Sequence, residues 1–291
     1  MNRLKQILQN GILCMLASSL FFAMMGALVK YSLEEIPLFE VVFFRSVLSA
    51  SLLGYFIWRR KGSFFGNRPL LLLGRGLAGF FAIITNFYAV ANIPLGDAAI
   101  LNQTSPLFVA FFSVLFLGEK LPAKIFLLSL FSLAGVALVV KPSFSYLNLA
   151  ALSGLVSGVM AAFAYVAIRE LHATDSFLTM AFYFTGVTSI LSAPFALREF
   201  VAPRIPVLLA LIGVGITGTM GQMLMTYAYK NEKASLVSPF SYTAVIISFL
   251  FGVVFFSEIP DRYSVLGSLA VIASCVALLR IRKMEYLEIE E

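Results

Sequence analysis

The sequence predicts an all-α membrane protein: ten transmembrane helices built as two inverted-topology five-helix repeats, with both termini cytoplasmic. Composition, the count of apolar runs and an internal repeat lead to that reading. Of 291 residues, 60% are hydrophobic and 12% charged, and the mean hydropathy is +0.94. Soluble domains carry about 25% charged residues. A soluble fold of this length has too little interior to hide so much apolar surface, so lipid must solvate most of it. The two cysteines, Cys14 and Cys275, lie far apart in apolar runs and read as small buried hydrophobes.

A helix needs about 20 mostly apolar residues to cross a bilayer. Ten runs qualify, over residues 11–30, 38–58, 69–91, 96–117, 123–140, 147–168, 176–197, 205–229, 234–256 and 263–280. Backbone polar groups in lipid must be satisfied within the segment, which makes such runs helices. The first run follows Arg3 and Lys5 as a signal peptide would, but it is long and lacks a small-residue cleavage site. An uncleaved first helix is expected. Lys and Arg mark the cytoplasmic face. With the N-terminus inside, that face gathers Arg59, Arg60, Lys61, Arg280, Arg282 and Lys283 among others, and the opposite face only Lys30, Lys141, Arg198, Arg204 and Arg262. The net charge of +6 is therefore an orientation signal, and no nucleic-acid partner is expected.

One fixed offset superimposes the chain on itself. Gly74, Gly76 and Gly79 of GRGLAG fall on Gly213, Gly215 and Gly218 of GVGITG. Ser18 falls on Ser157, Lys30 on Arg169, Tyr88 on Tyr227 and Glu119 on Glu258. The expected units are residues 1–141 and 147–283, followed by a cytoplasmic tail over 284–291. Five is odd, so the second unit enters the membrane upside down, a recurring plan among secondary transporters. GRGLAG also matches the dinucleotide pattern G-x-G-x-x-G. It lies inside the third run, however, without the strand–turn–helix that a nucleotide site needs. Small residues let membrane helices approach closely, so packing is the expected role.

The stretches EVVFFRS, ANIPLGDAAILNQTSPLFVAFFSVLFLGEKL and ASLVSPFSYTAVIISFLFGVVFFSEIPD resemble the drug/metabolite transporter superfamily, in particular EamA-type ten-helix transporters. SPFSYTA is similar to the branch that includes S-adenosylmethionine and riboflavin carriers. One departure is that Pro106 of the first unit aligns with Val245 of the second. The resemblance implies a bacterial inner-membrane transporter with a cavity lined by helices one to four and six to nine. Helices five and ten would be supports through which a homodimer could form.

Ionisable residues inside a membrane are costly and mark function by default. Arg45 and Arg75 lie about two turns inside their runs, from opposite faces. A guanidinium presents five donors in a fork suited to carboxylate or phosphate. The expected substrate-binding set is Arg75, Arg45, Asn86, Tyr88, Asn102, Gln103, Gln222, Tyr227, Ser238 and Tyr242, with Phe22, Met25 and Tyr165 as apolar wall. Lys30, Pro106, Glu119 and Glu258 are expected to gate or support, with Pro106 kinking the fourth helix. No zinc-protease, cysteine-cluster, P-loop or Ser-His-Asp pattern is present, so no cofactor, metal or catalytic residue is expected.

The reading is a secondary transporter working by alternating access, as exchanger or facilitator. Its partners are the lipid bilayer and a small polar metabolite: a nucleoside-like cofactor such as S-adenosylmethionine, a vitamin, an amino acid or an organic anion. A membrane-embedded transferase would need a buried nucleophile beside a base, and a lipid flippase would need a cavity opening sideways to lipid.

Overall fold

The computed structural model describes residues 11–92, 98, 101–118, 123–140, 149–232, 237–256 and 262, with 265–267, 269–270, 272–274 and 276–277. Every regular element among the described residues is helical. In chain order they are α1 (Gly11–Leu33), α2 (Leu38–Arg59), α3 (Pro69–Asn92), α4 (Ser105–Leu117), α5 (Ala123–Val140), α6 (Leu149–Glu170), α7 (Phe177–Arg198) and α8 (Ile205–Asn231). A 3-10 helix (Ser238–Tyr242) then leads into α9 (Thr243–Phe256). Six helices, α1, α2, α3, α6, α7 and α8, are long and apolar enough to cross a membrane. The described residues from Val265 to Ala277 are helical as well.

The most extensive contacts join α1 to α8, α3 to α6, and α2 to α7; α3–α7, α2–α8, α4–α6 and α1–α9 follow. Under the sequence offset, α1 corresponds to α6, α3 to α8, α2 to α7 and α4 to α9. Each contact therefore has a counterpart: α1–α8 with α6–α3, α1–α9 with α6–α4, and α2–α8 with α7–α3. The α2–α7 contact is its own counterpart.

The two glycine motifs explain how α3 and α8 come so close to α7 and α2. A methyl group on Gly76 would sit 2.9 Å from Val187, and one on Gly215 would run into Leu48. A methyl on Gly79 would enter the Phe184 ring, and one on Gly218 would lie 3.0 Å from Arg45 Nε and Met25 Sδ. GRGLAG and GVGITG are thus matched seats for side chains of the facing helices. Gly74 has nothing within 4 Å at its would-be Cβ.

The fourth and ninth runs were expected as unbroken helices, and both break. The fourth is helical at Leu101 and Asn102, turns at Gln103-Thr104 and resumes at Ser105. Pro106 therefore stands in the first turn of α4 rather than kinking a helix interior. Proline lacks an N–H, and the first turn is where that loss costs nothing. The ninth run tightens to a 3-10 helix at the equivalent place, despite Val245 where the first unit has its proline. Both breaks carry the same local bond. Thr104 Oγ1 donates to Leu101 O, and Thr243 Oγ1 donates to Phe240 O, each at 2.7 Å. In each case the same carbonyl also accepts the threonine's own backbone N–H.

Candidate functional site

A cavity of about 490 Å³ lies at the centre of the bundle. This falls within the range of small-molecule sites. Its walls come from α1, α2, α3, α4, α6, α7, α8, the 3-10 helix and α9. Among the described residues, none of α5 belongs to the cavity wall.

Helix periodicity decides which predicted residues reach it. Along α3, Arg75, Gly79, Ala82 and Asn86 follow i, i+4, i+7, i+11 and share the cavity face. Tyr88 falls off that stripe and is 37% exposed on the outer surface. Along α8, Gln222, Met225 and Tyr229 line the cavity. Tyr227 points elsewhere and packs edge-on against Phe177, with ring centroids 5.4 Å apart. Arg45, Asn102, Gln103, Phe22, Tyr165 and Lys30 also line the cavity. Tyr242 is fully buried behind the wall, and its hydroxyl has no hydrogen-bond partner among the described residues. Ser238 and Pro106 are described only as backbone, and Glu119 and Glu258 lie outside the described residues.

Arg45 and Arg75 are each 2% exposed. Each stands about 10 Å from the start of its helix. They converge on one aromatic ring. The Arg75 Cζ lies 4.7 Å and the Arg45 Cζ 5.5 Å from the centroid of Phe184. Arg45 Nε donates to Met25 Sδ at 3.3 Å. Arg45 Nη1 and Arg75 Nε and Nη1 are buried with no hydrogen-bond partner among the described residues. No Asp or Glu belongs to the cavity wall among the described residues. Glu40, close in sequence to Arg45, is spent elsewhere: its Oε2 accepts from Val201 N at 2.9 Å.

The helix breaks meet at the same cavity. Gln103 Nε2 donates to Ser241 O at 3.0 Å, and Ser241 Oγ donates to Gln103 Oε1 at 3.3 Å. Asn102 Nδ2 donates to Ser157 Oγ at 2.9 Å, and Ser18 Oγ to Gly221 O at 2.7 Å. Where the C-terminal ends of α6 and α8 meet, Tyr165 and Tyr229 stack with centroids 4.8 Å apart and planes 18° apart. Beyond them Arg169 Nη1 donates to Lys230 O at 3.1 Å, Lys230 Nζ donates to Asp175 O at 2.6 Å, and Arg68 pairs with Glu170 at 2.8 Å. Phe184 and Tyr229 are absent from the sequence-derived set, whereas Met25, expected in the apolar wall, does line the cavity. Spacing from Gln222 selects Tyr229, and the offset that maps Arg45 onto Phe184 marks the latter.

Comparison with known proteins places this geometry. The EamA-like transporter family model matches twice, over residues 9–141 and 148–280. The pseudopaline exporter CntI of Pseudomonas aeruginosa is 36% identical over 280 residues, covering 95% of this chain and 98% of that protein. An S-adenosylmethionine uptake transporter of Rickettsia prowazekii is 25% identical, covering 93% and 92%. Human solute carrier family 35 member G1 is 28% identical, covering 91% and 78%. A solved crystal structure superimposes with a TM-score of 0.79 over 94% of this chain and 98% of the other, at 21% identity, a likeness of fold. The chain is a multi-pass integral membrane protein and a secondary-type small-molecule transporter, not an enzyme, and it belongs to the EamA-like transporter family of the drug/metabolite transporter superfamily.

Proposed function

We propose that the protein carries a small organic anion across the membrane by alternating access, with Arg45 and Arg75 receiving its negative charge. The observation that carries this reading is the pair of buried arginines in the cavity wall whose guanidinium nitrogens are left in part without a partner among the described residues. A buried cation without a counter-charge is costly, and a carboxylate fork is the natural complement of a guanidinium. The paired pattern of helix contacts supports two inverted five-helix units, residues 1–141 and 147–283, and the Lys/Arg asymmetry supports cytoplasmic termini. In that orientation the Tyr165–Tyr229 stack closes the cytoplasmic end. The cavity wall runs on past Asn86 and Val90 toward Lys30, at the outer end.

The relatives are named for two cargoes, pseudopaline and S-adenosylmethionine. The second reading, a zwitterionic cofactor such as S-adenosylmethionine, would set its carboxylate on the same arginines. Its sulfonium and ammonium would then need an acceptor or aromatic face, and Tyr165 is one aromatic candidate on the wall. A wall without acids favours the net-anionic cargo.

Melting temperatures of the purified protein, measured with pseudopaline, citrate, succinate, S-adenosylmethionine and S-adenosylhomocysteine, separate the two. At about 100 times its dissociation constant a true ligand adds roughly 2.7 kcal/mol of stability. Stabilisation by an anion, lost in Arg75→Ala and followed by uptake of that anion into proteoliposomes, supports the reading. Stabilisation by S-adenosylmethionine and by no anion overturns it: lost in Arg75→Ala it favours the second reading, and kept there it removes the arginines from both.

A further inference from the structure

The offset that carries Gly79 onto Gly218 also carries Arg45 onto Phe184. The two side chains occupy equivalent seats. Phe184 fills the space left open by Gly79 of α3, and Arg45 fills the space left open by Gly218 of α8. The two units have thus diverged at one position, a cation in one and an aromatic ring in the other. The ring is the surface over which both buried guanidiniums lie, at 4.7 Å and 5.5 Å.

We infer that Phe184 is a positioning residue for the anion site: it holds Arg45 and Arg75 at the cavity wall without neutralising them. The inference rests on the anion reading above. A protein usually fixes a buried arginine with a carboxylate, which fixes the geometry but cancels the charge. An aromatic face attracts a guanidinium through its quadrupole and leaves the net charge intact. The other contact to Arg45 is of the same kind. Met25 Sδ accepts from Nε at 3.3 Å, and a thioether is a weak, uncharged acceptor. Three guanidinium nitrogens are left with no hydrogen-bond partner among the described residues, so no contact there offsets the pair's charge. Phe184 is itself anchored, 5% exposed and seated where a side chain on Gly79 would collide with it. It reaches no cargo-binding hydrogen bond of its own; it acts through the arginines.

The test compares the full-length protein in detergent with Phe184→Glu, Phe184→Gln, Phe184→Leu and Arg75→Gln. Melting temperature is read with and without citrate, at fixed ionic strength against chloride. Gln and Glu have the same size, so their difference reports charge alone. Phe184→Glu is expected to melt about 5 °C or more above Phe184→Gln, because its carboxylate supplies the counter-charge that the arginines lack. It is also expected to lose the citrate-dependent shift that the wild type shows beyond Arg75→Gln. Phe184→Leu keeps the charge but loses the ring, and its citrate dissociation constant is expected to rise about tenfold, the equivalent of ~1.4 kcal/mol. Phe184→Glu melting at or below Phe184→Gln, or failing to fold where Gln folds, overturns the positioning role. A wild type with no citrate shift beyond Arg75→Gln, alongside a clear Glu-over-Gln gain, overturns the anion reading and leaves the ring's hold on the arginines standing.

Discussion

In the first family-model unit the cavity-facing positions hold Gly26, Arg45 and Val90; the equivalent positions of the second hold Tyr165, Phe184 and Tyr229. Behind them the units scarcely differ. Gly76 and Gly79 seat Val187 and Phe184 as Gly215 and Gly218 seat Leu48 and Arg45. Thr104 and Thr243 close the two helix breaks with the same bond at the same length. The duplicated halves have kept the parts that let helices meet and break in register, and have diverged where they face the cavity. One consequence is a site with a cationic side and an aromatic side. Another is a pair of unequal ends. Tyr165 and Tyr229 stack across one end, while Gly26 and Val90 at the matching places of the other have no rings to stack.

The comparison breaks most severely if its shared scaffold is removed. Gly79→Leu and Gly218→Leu should each prevent recovery of monodisperse protein, since overpacking by several carbons costs about 3 kcal/mol or more where neither helix can yield. Gly74→Ala should purify as the wild type does, because open space surrounds it. Size-exclusion profiles of the three variants decide this, and well-behaved Gly79→Leu protein would remove the seat.

Next in size is the cationic side. Arg75→Ala should lower the initial rate of anion uptake into proteoliposomes about 100-fold while the protein stays folded. A rate within twofold of wild type would take Arg75 out of the site.

The unequal ends come third. Tyr229→Val makes the second unit resemble the first and removes the stack, itself worth about 1 kcal/mol. In protein whose native cysteines are replaced, Ala161→Cys should then react about fivefold faster with a thiol reagent added from the cytoplasmic side. An unchanged rate would mean that the ring pair seals nothing.

Smaller still is the bond between the two breaks. Gln103→Ala should lower the melting temperature by about 3 °C, a net loss of about 1 kcal/mol from its two part-buried hydrogen bonds to Ser241. Tyr242→Phe should match or exceed wild type, because its buried hydroxyl leaves no bond behind. The smallest effect belongs to Tyr88→Ala, expected to stay within about 0.5 kcal/mol of wild type and to transport normally, since Tyr88 stands outside the cavity.

Much of this was legible in the residues. GRGLAG and GVGITG announced close packing once they were seen to share an offset. Arg45 and Arg75 stood out because a guanidinium has no cheap place in lipid. Asn86, Gln222, Asn102 and Gln103 stood out as polar groups in apolar runs. Tyr88 and Tyr227 misled because repeat symmetry shows that two positions are equivalent without showing which way they face. Counting helical spacing outward from Arg75 and Gln222 puts Asn86 and Tyr229 on the cavity side and the other two tyrosines off it.

By itself the sequence determined that the chain is helical, membrane-embedded and duplicated. Those properties follow from hydropathy and periodicity, which are sums over many residues and survive any single error. Only the tertiary structure decided that both arginines lie over the Phe184 ring and that Gln103 reaches across to Ser241. It also showed that Pro106 opens a helix instead of bending one, and that Glu40 bonds Val201 rather than Arg45. Each of these depends on which faces of distant helices meet, and that is settled by the packing of the whole bundle.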